Sequence, residues 1–204
     1  MVLTTVSSKN VWRAKMLESR SQVGPDKASE FNRSICKNLS FVWSEVKPEE
    51  KQESKATWAG YKSFRWEADP ELAIFDSLKY IDWVYPRVLN ETDMEFRKPS
   101  STDSNWLKNR WGLWEPDPRT SEKADLHKCV GVLVPAVAFD RQGHRLGYGK
   151  GFYDKALAGF TGLKVGVGFS VQVIEGLLPC EEFDVRMDLI VTDQEIIRMP
   201  ALRH

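Results

Sequence analysis

An α/β fold, with a mostly parallel sheet covered by helices on both faces, is the architecture this sequence predicts, and three observations predict it. Two helix-patterned stretches open the chain. From about residue 56 onward, short apolar runs alternate with helix signals. The central run VGVLVPAVAF, beginning at Val130, is apolar enough to be a strand buried on both sides. A chain of 204 residues fits one domain with a substantial core better than two small ones. Residues 1–204 are therefore read as a single unit, with N-terminal helices over about 8–45 packed on an α/β region over about 56–200.

From Ser8 onward Val11, Trp12 and Met16, and later Ile35, Leu39 and Val42, recur at helical spacings, and Gly24-Pro25 divides the pattern into two helices. The second helix gives way to the polar stretch VKPEEKQESK (46–55), expected to be a loop. TWAGY reads as a strand, Glu71–Leu78 as a helix and IDWVYP as a strand, with another strand around Glu95–Arg97. Lys98–Ser121, rich in Pro, Ser, Asn and Asp, reads as one long loop of the kind that often carries function. Val130–Ala138 is expected as one strand, followed by a turn at Arg141-Gln142-Gly143. The rest reads as a glycine-rich loop, a helix Phe152–Gly159, the strand LKVGVGF, a short helix near Val171–Gly176 and the strand DLIVTD.

Charge and cysteine usage remove several functional classes. The 29 basic side chains balance the 29 acidic ones, which argues against a general nucleic-acid binder. Cys36, Cys129 and Cys180 form no Cys-x-x-Cys pair that would suggest zinc or a redox centre, and a reducing compartment follows. The amino terminus has no apolar core ahead of a cleavage site, and no window approaches the length of a membrane span. A cytoplasmic monomer acting on small molecules is the expectation. His127 and His144 have no partner at metal-ligand spacing and are read as ordinary polar residues. Most of the eight tryptophans are assigned to packing.

The chemistry concentrates in VPAVAFDRQGHRLGYGKGFYD, Val134–Asp154, where an apolar strand runs into a glycine-rich loop and then a helix. Gly147, Gly149 and Gly151 lack the Cβ that would stop backbone N–H groups from turning inward together, and they alternate with Tyr148 and Lys150. A helix starting at Phe152 would present unpaired N–H groups to an anion, with Arg145 and Lys150 adding full charges. Asp154 supplies the hard carboxylate that a magnesium ion accompanying a nucleotide accepts beside its waters. A simple tight turn is the competing reading, and the pattern is neither the Walker form nor the dinucleotide fingerprint.

The run RLGYGKGFYD, preceded by VPAVAFD, closely resembles the signature of the 5-formyltetrahydrofolate cyclo-ligase family, also called methenyltetrahydrofolate synthetase. Weaker family features recur in order along most of the chain: Lys9-x-x-x-Arg13, Glu67 in FRWEADP, Tyr85-Pro86-Arg87, Gly112 to Pro116, and Asp184 to Asp188. The resemblance implies a three-layer αβα fold similar to the sugar-phosphate isomerase and CoA-transferase group, with ATP and folate in one cleft. It implies that Lys9 and Arg13 grip ATP phosphates together with Arg145, Gly147, Gly149, Lys150, Gly151 and Tyr153. Glu67, Tyr148, Phe152 and the same Gly149-Lys150-Gly151 run would contact the folate. Arg145, Lys150 and Tyr153 would be the catalytic side chains, and Asp154 and Asp188 would share Mg²⁺. Glu115 would shape the loop over the site or touch substrate, and Arg20 fits the N-terminal pattern loosely. Phe183 stands where many bacterial members have histidine, Ala136 where many have glycine, and Val130 where an aspartate often opens the strand.

The activity so implied is ATP-driven ring closure of 5-formyltetrahydrofolate to 5,10-methenyltetrahydrofolate, with the formyl oxygen phosphorylated and N10 attacking. Two other readings remain open at this point. One is a related enzyme acting on a sugar phosphate or acyl-CoA without ATP hydrolysis, and the other is a non-catalytic folate or nucleotide binder.

Overall fold

The computed structural model describes residues 2–45, 55–100 and 106–200, with the side chains of residues 2–7 outside that description. The polar stretch expected as a loop after the second helix lies, Lys55 apart, outside the described residues. In chain order the elements are α1 (Val2–Ser21), α2 (Pro25–Glu45), β1 (Ala56–Ala59), α3 (Glu71–Ser77), β2 (Ile81–Val88), β3 (Met94–Pro99), β4 (Trp106–Lys108), β5 (Trp114–Pro116), β6 (Ser121–Ala124), β7 (Gly131–Pro135), β8 (Ala138–Asp140), β9 (Arg145–Leu146), α4 (Phe152–Ala156), β10 (Leu163–Val167), β11 (Val173–Ile174), β12 (Leu189–Val191) and β13 (Ile196–Arg198). Pro25 opens α2 as its first residue, where a missing N–H is harmless, so the break at Gly24-Pro25 falls where the sequence puts it.

Eight strands form the main sheet in the order β13-β12-β10-β7-β1-β2-β3-β6. The five inner strands from β12 to β2 are parallel, and β13, β3 and β6 join antiparallel at the edges. Side chains alternate between the faces, as a two-residue period requires. Trp58, Trp83, Leu133, Val165 and Val191 face a core shared with α2 and α3, whereas Ala59, Val84, Val132, Val134 and Ile190 face one shared with Leu157 and Phe160 behind α4. That is the three-layer αβα arrangement, with a thin second helical layer. Trp43 of α2 meets Trp58 and Trp83 with ring centres 6.2 and 5.4 Å apart, at angles of 76° and 68°. These edge-on contacts add to the burial of three large rings.

The apolar run read as one strand is divided in two. β7 ends at Pro135, which has no N–H to continue a ladder, and the chain leaves the sheet through Ala136 and Val137. β8 then pairs with β9 and β11 in a separate three-stranded sheet. The carbonyls freed at the exit accept from Gln172 Nε2, at 2.7 Å for Ala136 and 3.2 Å for Val137. Met16, Val137, Ala138, Leu146 and Leu178 bury together, so α1 packs on this small sheet rather than on the large one.

Three further expectations need correction. The helix expected over Phe152–Gly159 is α4, only Phe152–Ala156, and Gly159 takes φ 72° just beyond it. The expected helix at Val171–Gly176 is a single 3-10 turn, Ser170–Gln172, followed by β11. The expected loop Lys98–Ser121 contains the β4–β5 hairpin and runs into β6. Short runs with one or two apolar residues, such as WLK and WEP, carry too little periodicity to be read locally. Among the described residues no helix is long and apolar enough to cross a membrane.

Gly131 shows how tightly the tryptophan layer is set. It lies beside Trp58 in the β1–β7 register, and a Cβ there would fall 2.5 to 2.8 Å from three atoms of the Trp58 ring. Gly131→Ala should therefore destabilise the protein by about 1–3 kcal/mol, the usual range for overpacking a filled core. A lower urea midpoint at unchanged slope is the expected readout, and an unchanged midpoint would count against a rigid layer.

Candidate functional site

The carboxyl ends of β1, β2 and β7 open into a cleft of about 390 Å³, reached by Tyr61, by Pro86 and Val88, and by Pro135 respectively. In an open parallel sheet this is where ligands gather, because the connections diverge there. The glycine loop forms one wall, α1 contributes Lys9 and Arg13, the turn after β1 contributes Phe64 to Glu67, and the β4–β5 hairpin contributes Trp111, Leu113, Trp114 and Glu115. Every site residue expected from the sequence lines this cleft except Asp188.

Gly149 and Gly151 take φ 95° and 69°, a region that favours glycine, so the loop needs them for its path. Gly149 has a second reason, because a Cβ there would stand 3.3 Å from the Arg13 guanidinium carbon. Arg13 Nε donates to the Gly147 carbonyl at 2.8 Å, and Nη1 donates to Asn10 Oδ1 at 2.6 Å. Seven residues further along α1, the buried Arg20 donates from Nη2 to the Tyr148 hydroxyl at 2.6 Å and leaves Nε without a partner. Lys9, Arg13, Met16 and Arg20 are spaced four, three and four residues apart, so one stripe of α1 about 16 Å long carries three cations along the loop. Arg20 was the residue that pattern could have identified, since Met16 between the cations is a core residue.

Lys9, Arg145 and Lys150 are already paired with carboxylates. The buried Arg145 donates from Nη2 to Asp154 Oδ1 at 2.7 Å, while its Nε finds no acceptor. The same Asp154 oxygen accepts the Val185 N–H at 3.1 Å. Lys9 Nζ donates to Glu181 Oε2 at 2.6 Å and to Asp184 Oδ2 at 2.7 Å. Burial alone would lower the Lys9 pKa, but these two carboxylates outweigh it and raise it above the ordinary value. Lys150 Nζ reaches Glu91 in the β2–β3 turn at 2.9 Å, an exposed pair that water screens and that a ligand can displace. Tyr153 carries the Arg145 guanidinium 5.7 Å from its ring centre, and burial followed by the nearby Glu67 charge pushes its hydroxyl pKa up.

Glu67 is half-buried in the cleft wall, and loss of hydration moves its pKa from 4.5 to about 7, against the opposing Phe64 N–H and the charge of Arg20. Its Oε2 accepts that N–H at 2.9 Å. The carboxyl is thus balanced between neutral and ionised forms near neutral pH, ready to be drawn to the ionised form by a ligand with two adjacent donors. Glu115 is buried, and its Oε1 accepts from Val88 N at 2.8 Å and Asn109 Nδ2 at 2.6 Å, which fixes the hairpin to β2.

Asp188 is the one expected site residue outside the cleft. Its Oδ2 accepts from Lys164 N at 2.7 Å and pairs with Lys164 Nζ at 2.9 Å. Lys164 registers with Val132, three residues before Pro135, so this pair sits roughly 10 Å down the strands from the cleft. Asp184 lines the cleft in its place. Among the described residues no group of three His, Cys, Asp or Glu side chains could hold a metal ion. The lining suits a polyphosphate directly, because Arg13, Arg145, Lys9 and Lys150 stand beside the glycine loop. It suits a magnesium ion only as one carried by that polyphosphate, with Asp154 as the carboxylate beside it. His144 Nδ1 lies 2.9 Å from the buried Asp140, whose carboxylate also accepts the Gln142, His144 and Leu178 N–H groups, so both serve the β8–β9 turn.

Comparison with known proteins bears on this geometry. The model of the 5-formyltetrahydrofolate cyclo-ligase family matches residues 5–193. A 5-formyltetrahydrofolate cyclo-ligase of Haemophilus influenzae is 36% identical over 93 residues, 44% of this chain and 49% of that protein, so this match spans about half of the relative. One from Mycoplasma pneumoniae is 28% identical over 190 residues, 91% of this chain and 99% of the relative. The NMR structure of Aquifex aeolicus 5,10-methenyltetrahydrofolate synthetase superposes with a TM-score of 0.78 at 29% identity, covering 96% of each chain.

The Glu67 carboxyl makes stability depend on pH in a definite direction. Below about pH 4.5 folded and unfolded chains both carry the proton, and Glu67 is neutral to stability. As pH rises through 4.5 to about 7 the unfolded chain ionises first, so stability falls, and above 7 the full cost, on the order of 3 kcal/mol, persists. Glu67→Gln keeps an acceptor for the Phe64 N–H and should raise Tm at pH 8 while leaving Tm at pH 4 unchanged. Equal Tm changes at both pH values would refute the burial effect.

Proposed function

The chain belongs to the 5-formyltetrahydrofolate cyclo-ligase family, and from that premise we propose that it closes 5-formyltetrahydrofolate to 5,10-methenyltetrahydrofolate with ATP, releasing ADP and phosphate. The observation that carries the reading is a single cleft lined by two chemically different sets of residues. One set is the glycine loop with Arg13, Arg145 and Lys150, and the other is Glu67 with the aromatic residues Phe64, Tyr148 and Tyr153. The first suits a polyphosphate and the second a flat heterocycle with an adjacent pair of donors.

The formyl group on N5 is an amide, and its oxygen is a poor leaving group. Transfer of the terminal phosphoryl group of ATP to that oxygen makes it a good one. N10 then attacks the activated carbon and gives up its proton, and the carbon–oxygen bond breaks as phosphate departs. No protein nucleophile is required, so the residues position reactants and neutralise moving charge. Lys150, freed from Glu91, and Arg145 would meet the oxygens whose charge changes during transfer. Lys9 and Arg13 would steady the nucleotide from the α1 side. A magnesium ion beside Asp154 would supply further neutralisation when bound. Glu67 would orient the pterin, and Tyr148, Phe152 and Tyr153 would exclude water from the phosphorylated intermediate.

Mixing the protein with ATP, Mg²⁺ and 5-formyltetrahydrofolate and following the methenyl absorbance band tests this reading. Growth of the band is expected, and binding of both ligands without turnover would leave a non-catalytic binder. Lys150→Ala should lower turnover roughly 100-fold while leaving folate affinity nearly unchanged. Equal losses for the two ligands would remove Lys150 from the phosphate-binding set. Asp154→Ala should raise the magnesium concentration needed for half-maximal rate, and an unchanged requirement with activity retained would take Asp154 out of the site.

A further inference from the structure

Among the described residues six basic side chains line the cleft, and five of them have hydrogen-bonding partners. Lys9 is paired with Glu181 and Asp184, Lys62 with Glu71, Arg145 with Asp154 and Lys150 with Glu91, while Arg13 is bonded to Gly147 and Asn10. Among the described residues Arg65 has neither a hydrogen bond nor an ion pair. Its guanidinium carbon lies 4.9 Å from the centre of the Phe64 ring, and that ring meets Tyr148 edge-on at 6.4 Å. Arg65 both lines the cleft and is exposed, which places it at the rim.

The backbone makes the same residue stand out. Arg65 has φ 55°, and among the described residues no other non-glycine residue has positive φ. It occupies the first central position of a turn closed by the Glu67 N–H on the Phe64 carbonyl at 3.1 Å, and by the Phe64 N–H on the Glu67 carboxylate. Glycine would sit there without strain, and the Arg65 side chain buries nothing that would offset the strain. Strain retained at the lip of a ligand cleft, beneath an unpaired cation stacked on an aromatic ring, is a pattern associated with recognition.

We propose that Arg65 is a specificity residue that receives a carboxylate of the glutamyl portion of a folate-class ligand at the mouth of the cleft. The assignment rests on the folate reading of the same cleft. With Glu67 holding the heterocycle within, the far end of an elongated ligand must lie toward the rim. There Phe64 and Tyr148 offer a wall for an aryl ring, and Arg65 offers the one cation of the cleft that is not engaged among the described residues. A planar guanidinium suits a carboxylate in two-point contact, and its stacking on Phe64 fixes its plane in advance.

The test compares full-length wild type, Arg65→Gln, Arg65→Lys and Arg65→Gly for binding of 5-formyltetrahydrofolate and of its counterpart without the glutamate, 5-formyltetrahydropteroate. KM for ATP is measured alongside. Arg65→Gln should weaken binding of the glutamyl ligand about tenfold, the scale of one charge-assisted contact at an accessible site, and leave the shorter ligand unaffected. Arg65→Lys should recover part of the loss. Arg65→Gly should show the same loss with a Tm no lower than wild type, because glycine accepts this φ. Equal loss for both ligands, no loss for either, or a change confined to the KM for ATP would each overturn the assignment. If wild type binds neither folate ligand, the folate reading itself fails and takes the assignment with it, an outcome distinct from the others.

Discussion

The seating of α1 on the glycine loop is the constraint on which the cleft depends. A loop with glycine at 147, 149 and 151 has more backbone freedom to lose than any comparable stretch of the chain, and left to itself it would not hold its amides in one place. Arg13 fixes Gly147 through its carbonyl, and Arg20 fixes Tyr148 through its hydroxyl. Asp154 ties the start of α4 to Arg145 and Val185. The small sheet of β11, β8 and β9 gives α1 an apolar seat through Met16, Val137 and Leu146, so the arginines arrive at the loop from a packed platform. The order that the loop needs thus comes from these side chains rather than from the helix expected to start at Phe152. With only five residues, α4 has too few aligned peptide dipoles to supply it.

The parts legible in the sequence were those with either a strong period or a strong chemical reason. β1, β2 and β12 carry apolar side chains whose alternation sorts them into the two cores as the pleat demands, and β10 faces the first core through Val165 and Val167. The glycine loop was legible because three glycines among two aromatic residues and a lysine are costly unless the backbone must turn inward. What escaped was decided by partners distant in the chain. The exit at Pro135 is stabilised by Gln172, the β4–β5 hairpin by Glu115 on Val88, and Arg20 by Tyr148 more than a hundred residues away. The first two contacts leave no local signal in composition or spacing, and of the third only the helical spacing of Arg20 from Lys9 and Arg13 can be read, not its partner.

The same limit explains the two aspartates near the carboxyl end. Asp184 and Asp188 are four residues apart, a spacing that brings side chains together on a helix, and this segment forms no helix on its way into β12. Asp184 remains at the cleft beside Lys9, while Asp188 is carried to the amino ends of β10 and β12 and bonds Lys164. Asp154 and Asp184 therefore face the cleft, each neutralised by a cation, and neither stands as a bare charge in a partly dry wall. That is the arrangement burial requires, because an unpaired carboxylate there would take up a proton or unfold its surroundings.

Pairing of this kind also sets how an anion could enter under the proposed reading. A polyphosphate reaching Arg145, Lys9 and Lys150 meets cations already bonded to Asp154, Asp184, Glu181 and Glu91, so its attraction is the difference between two sets of ion pairs. Each exchange releases a carboxylate into the same cleft. Three of those exchanges occur at groups that are at least partly buried, where a freed carboxylate needs a new positive partner, and the exposed Lys150–Glu91 pair is the exception because water can solvate Glu91. Binding is therefore easiest to begin at Lys150 and hardest to complete at Lys9, whose ammonium is held by two carboxylates at once. Nucleotide and divalent cation are thus expected to bind together, the cation satisfying the carboxylates that the phosphates displace, and a cleft built in this way discriminates against a free anion of equal charge.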